Sequence, residues 1–123
     1  MITRVEKITI FVNSQEEAQK FWLEQVGFVV TLELPMGPSI TWLEVAPAVD
    51  HLTSLVLYDK QSMQQQHPEF VQHPNIIFAT DDADAEWARL KANGVEVTDV
   101  NTFPYGKMFS FKDNDGNVYM VRG

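Results

Sequence analysis

The sequence has no cysteine, which excludes disulfides, thiolate metal ligands and cysteine nucleophiles and leaves packing as the source of stability. Cations are scarce. Nine Lys and Arg stand against seventeen Asp and Glu for a formal net charge of −8, and Arg4, Lys7, Lys20, Arg89 and Lys107 are scattered rather than grouped. Such a chain repels a phosphate backbone, so nucleic acid is not expected as a partner. There is no run of eighteen apolar residues, and residues 1–7 lack the charged-then-apolar order of a signal peptide. No membrane partner is expected, and a cytoplasmic location is. Histidine is rare too: His51, His67 and His73 read as surface residues, two of them followed by proline in a polar stretch.

What is present is enough apolar residues, 45% of 123, to build one core, so a single domain is expected. An internal repeat organises it. A shift of 67 residues lays Ile10, Phe11, Ala18, Leu23, Gly27, Val30 and Thr31 on Ile77, Phe78, Ala85, Leu90, Gly94, Val97 and Thr98. Each copy opens with a strand rich in β-branched and aromatic residues, 7–12 and 75–80. A helix follows, capped by Ser14 in the first copy and by Asp81 or Asp82 in the second, and each helix stops at a glycine, Gly27 or Gly94. Further strands are expected at 28–34, 40–45 and 52–58, then at 95–100, 106–111 and 117–122, so each module reads as βαβββ. Module one covers 1–59 and module two 74–123, with the glutamine-rich stretch 60–73 as linker. Asp113-Asn114-Asp115-Gly116 has hairpin-turn chemistry rather than the spacing of a calcium loop. Glu16-Glu17 and Asp81-Asp82-Asp84 sit at helix starts, where capping explains them better than acid–base work.

Ile8-Thr9-Ile10-Phe11-Val12-Asn13-Ser14 with Phe21-Trp22 and Val26-Gly27-Phe28 resembles the opening module of the vicinal oxygen chelate superfamily, the group of glyoxalases, bleomycin resistance proteins and extradiol dioxygenases. Phe78-Ala79-Thr80-Asp81-Asp82, Leu90-Lys91-Ala92-Asn93-Gly94-Val95 and Phe111-Lys112-Asp113-Asn114-Asp115-Gly116-Asn117 resemble its closing module. The resemblance implies an α+β fold in which two βαβββ modules form a cupped mixed sheet with flanking helices. It also implies a homodimer and, in metal-dependent members, a divalent ion held in the cup by histidines and glutamates. Carried over one at a time, those ligand positions fall on Lys7, on Asn75, on Met120 and near Ser54 to Val56. A charged ammonium has no lone pair, and one amide does not replace four oxygen or imidazole ligands. No metal or other cofactor is therefore expected.

A ligand position also fixes which face of its strand points into the cup. On that parity Lys7, Thr9 and Phe11 point inward with Ser54, Asn75, Ile77, Met120 and Arg122, while Trp42 and either Met108 or Phe109 line the wall. Glu44, two residues from Trp42, joins them if it points in. The expected function is metal-free binding of a small molecule, with Lys7, Asn75 and Arg122 as donors to an anionic or carbonyl group. A glyoxalase-like lyase or dioxygenase with a non-standard metal site is the alternative. Metal-free catalysis would need a base, for which a desolvated Lys7 is the candidate, and no catalytic residue is assigned.

Overall fold

Strand-forming residues at 7–12 alternate between two faces, and in the computed structural model, which describes residues 1–123, they form β1 (Lys7–Val12) at one edge of a four-stranded sheet. Its neighbour is β4 (Ser54–Asp59), followed by β3 (Thr41–Ala46) and β2 (Val29–Pro35). β1 runs parallel to β4, and the other two pairings are antiparallel. Ile10, Val12, Leu43, Val45, Leu55 and Leu57 share one face and are buried. Burial of each such side chain is worth roughly 1.5–3 kcal/mol, which makes this face the core of the first unit. Helix α1 (Gln15–Lys20) packs on β4, with Ser14 Oγ accepting from the Glu17 amide at its start.

After α1 the helix continues with π-type winding over Phe21–Val26 and stops at Gly27, whose φ of 92° only glycine adopts without strain. The extra winding explains a discrepancy in the repeat. Ser14 and its counterpart cap Asp82 stand 68 apart, whereas Gly27 and Gly94 stand 67 apart, so the first helical segment is one residue longer. A π-turn holds one more residue than an α-turn and absorbs the surplus. The repeat of 67 is thus right at the helix ends and one residue short in the opening strands. Ile10 is fully buried while Ile77 is 61% exposed, and Phe78 takes the helix-facing place.

The second unit has a sheet ordered β5 (Ile77–Ala79), β9 (Val118–Arg122), β8 (Gly106–Lys112) and β6 (Glu96–Val97). β5 and β9 are parallel, and β8 is antiparallel to its neighbours. Helix α3 (Ala83–Ala92), capped by Asp82 rather than Asp81, packs on β6 and β8. Phe109, Phe111, Tyr119 and Val121 are buried, and Phe78, Phe111 and Tyr119 are in mutual ring contact. The fold class is α+β, with two mixed sheets and their helices, as the resemblance implied. Two details differ from expectation. The strand expected over 95–100 is cut to Glu96–Val97, and a further strand, β7 (Asn101–Phe103), pairs with β8, so the second module carries one strand more than βαβββ.

The chain forms two compact units, Met1–Pro74 and Asn75–Gly123. The stretch 60–73, expected as a linker, lies within the first unit, with α2 (Lys60–Gln66), capped by Asp59, and a 3-10 turn at Pro68–Phe70. Asp113-Asn114-Asp115-Gly116 forms the hairpin turn between β8 and β9. The Asp113 carboxylate is buried and accepts from the amides of Asp115 and Asn117, from Asn117 Nδ2 and, at 2.6 Å, from the Tyr119 hydroxyl.

Burial first, and then this hydrogen bond to a carboxylate, push the Tyr119 phenol well above its ordinary value of 10.0. The unfolded phenol ionises near about 10 while the folded one stays protonated, so the folded state holds the extra proton and stability falls as pH rises through that value. Urea denaturation between about pH 9 and 11 should show Tyr119 contributing a decline approaching 1.4 kcal/mol per pH unit. Tyr119→Phe should remove that share; an unchanged slope would mean that the folded phenol ionises freely.

Candidate functional site

Glu44 lies in the middle of β3 on the face opposite α1, and at 3% exposure it is a buried carboxylate in a sheet. Burying a charge costs several kcal/mol unless partners replace its water. Three hydrogen bonds do so. Lys7 Nζ donates to both carboxylate oxygens at 2.7 Å, and Trp42 Nε1 donates to Oε2 at 2.7 Å. Strand register explains the meeting. Lys7 pairs with Ser54 and Thr9 with Val56 across β1 and β4, and Val56 pairs with Glu44 across β3 and β4, so all these side chains share one face. Burial alone would raise the Glu44 carboxyl, but the bonds from Lys7 and Trp42 and the charge of Lys7 together hold it below its ordinary value of 4.5.

Aromatic rings form a row at one end of the same face. Phe11 meets Tyr58 edge-on with centroids 6.3 Å apart, and Tyr58 meets Trp42 in the same way at 6.0 Å. Of the residues assigned from the sequence, Lys7, Thr9, Phe11, Trp42 and Ser54 therefore share one sheet face of the first unit. The others lie in the second unit. Ile77 and Met120 are register partners on the exposed face of its sheet, and exposed Asn75 precedes β5. Arg122 is not frayed: its Nη2 donates to the Tyr105 carbonyl at 2.8 Å. Between the two wall candidates, Phe109 is buried in the core, and Met108 stands on the opposite face, paired with Arg122.

Two residues were missed. Tyr58 follows from the same alternation that includes Ser54. Gln15 gives no signal, because nothing about a polar residue in a first helical turn announces where its amide reaches. Lys7 is half of an ion pair with Glu44, and its side chain is 36% exposed. In the second unit an open cleft of about 430 Å³ is bordered by Asp82, Asp84, Phe103 and Lys107, none of them assigned from the sequence, with Lys107 and Asp84 paired.

The Glyoxalase/Bleomycin resistance protein/Dioxygenase superfamily model matches residues 4–121. The chain belongs to that superfamily. The "Uncharacterized protein YetH" of Bacillus subtilis (strain 168) is 36% identical over 123 residues, 99% of either chain. TnmS3, an antibiotic binding protein from Streptomyces sp. CB03234, is 35% identical with a TM-score of 0.81, over 98% of this chain and 95% of that one. A glyoxalase/bleomycin resistance protein from the same Streptomyces is 34% identical with a TM-score of 0.77, over 98% and 100%. Metal-dependent members of the superfamily require a donor set that these residues do not supply. Lys7 offers an ammonium, Met120 a thioether, and both oxygens of Glu44 are taken up by Lys7 and Trp42. No group of three His, Asp or Glu side chains gathers elsewhere to hold an ion.

Lys7→Met should leave Glu44 buried with one donor in place of two. After discounting for the exposure of Lys7, the loss is about 1–3 kcal/mol in urea denaturation at neutral pH. Replacing Lys7 and Glu44 together by Met should recover most of it. Because the folded carboxyl is held low, the pair's contribution is present above about pH 4.5 and lost as pH falls below it. A Lys7→Met variant as stable as wild type would mean that the pair contributes nothing.

Proposed function

We propose that this protein is a metal-free small-molecule binder whose ligand lies on the face of the first unit formed by Lys7, Thr9, Phe11, Trp42, Ser54 and Tyr58. The observation that carries the proposal is the Lys7–Glu44–Trp42 centre, which neutralises its own charge and continues through Trp42 into a row of aromatic rings, Tyr58 and Phe11. Apolar and aromatic surface with a few fixed polar groups is how ligand sites are built. Since the positive charge of Lys7 is already matched by Glu44, the expectation of an anionic ligand gives way to a neutral, largely aromatic one with a carbonyl or hydroxyl edge. The remaining ammonium and indole surfaces and the hydroxyls of Thr9 and Ser54 can meet such an edge. The likeness to TnmS3, described as an antibiotic binding protein, supports a small organic ligand. The cytoplasmic location and homodimeric state expected from the sequence and the resemblance belong to the same proposal. Asn75, Ile77, Met120 and Arg122 are proposed as further ligand contacts, to be tested one by one.

The test is a fluorescence titration with a panel of neutral flavones and of aliphatic cyclic ketones of similar size, repeated on Trp42→Ala with its melting temperature as control. Saturable binding of at least one flavone, weakened about tenfold or more in folded Trp42→Ala, is expected for the loss of an aromatic anchor. Equal affinity in the folded variant, or saturation by neither class, would overturn the proposal.

A further inference from the structure

The ladder between β3 and β4 is short. Its paired residues are Glu44 with Val56 and Val45 with Leu55, although β3 runs back to Thr41 and β4 on to Asp59. Where the next rungs would form, the side chain of Gln15, first residue of α1, stands in. Its Nε2 donates to the carbonyls of Thr41 at 2.6 Å and Leu57 at 2.9 Å, and its Oε1 accepts from the Thr41 amide at 3.2 Å. A primary amide carries the same donor and acceptor as a peptide group, so it can serve as one inserted link between strands. Helix capping does not require it there, because Ser14 already caps α1.

Position in the ladder gives this link its consequence. The amide and carbonyl of Thr41 both point toward β4, so odd-numbered residues of β3 carry the bonds to β4 and even-numbered ones form the non-hydrogen-bonded pairs, whose side chains stand closest. After Glu44 and Val56 the next such pair would be Trp42 and Tyr58. They are unpaired as backbone, and their rings meet edge to face with planes at 76°.

We infer that Gln15 is a positioning residue for the aromatic end of this face: its side-chain amide parts β3 from β4 at Trp42 and Tyr58 and so sets the ring arrangement that selects the ligand. The ligand part of this inference rests on the small-molecule proposal above; the backbone part does not. Removing the link lets the ladder close.

Gln15→Ala should close it, giving a strong Hα–Hα nuclear Overhauser effect between Trp42 and Tyr58 that the ligand-free wild type lacks. The flavone should bind about tenfold more weakly, the order of one aromatic contact, while the aliphatic ketone should change less. Gln15→Met keeps the side-chain length without its hydrogen bonds, and serves if the alanine variant does not fold. It should lose the same preference for flavone over ketone. Folded variants with no new Trp42–Tyr58 effect and a wild-type preference would overturn the inference. If wild type binds neither probe, the small-molecule proposal fails, and the Overhauser pattern of the variants still decides whether Gln15 parts the strands.

Discussion

A carboxylate buried in a β-sheet has to be paired, and much of the first unit is arranged around that requirement at Glu44. The nearest cation is Lys7, brought there by the β1–β4 and β3–β4 registers, and the nearest neutral donor is the indole of Trp42 two residues along the same strand. Without those donors the group would cost more than the sheet's apolar contacts readily offset. With them, the indole ring is oriented, the ammonium is held against the sheet, and the surrounding face is left to Phe11 and Tyr58. Lys7, where the resemblance to the superfamily's metal-dependent members implied a ligand position, is instead half of an ion pair. The same fold can therefore support different chemistry, and membership alone does not decide function.

The two units share an order of strand, helix and further strands, with one strand more in the second, and differ in contents. The first puts an ion pair and aromatic rings on its free sheet face; the second puts Ile77 and Met120 there, with Arg122 turned to a backbone carbonyl. Their opening helices differ by one residue, taken up as π-type winding at Phe21–Val26. Length is easily adjusted in such a way, because a π-turn changes the path of one turn and leaves the flanking strands in place. The cap at Ser14 and the stop at Gly27 keep their places around it.

Much of the fold was legible because its signals are local. The β-branched run from Lys7 to Val12, the caps at Ser14 and Asp82, the glycines at 27 and 94 and the Asp113 turn each act within a few residues. What escaped was set by distant partners. Strand β7 is defined by its pairing with β8, and the one-residue difference between the helices shows only when both caps are located. At the site, period-two alternation placed Lys7, Thr9, Phe11 and Ser54 on one face, but alternation says nothing about who bonds to whom. That Lys7 would spend its charge on Glu44, and that the Gln15 amide would reach between two strands, depend on register 37 and 26 residues away in sequence.

The most direct measurement of this centre is the titration of the Glu44 carboxyl itself by carbon-detected NMR on labelled protein, in the absence and presence of Zn²⁺ or Ni²⁺. A midpoint below the ordinary 4.5, unmoved by either ion, is what a carboxylate satisfied by Lys7 and Trp42 requires. A midpoint above 4.5, or one that moves when an ion is added, would show that Glu44 is not held by these two residues and would contradict the proposal of a metal-free centre.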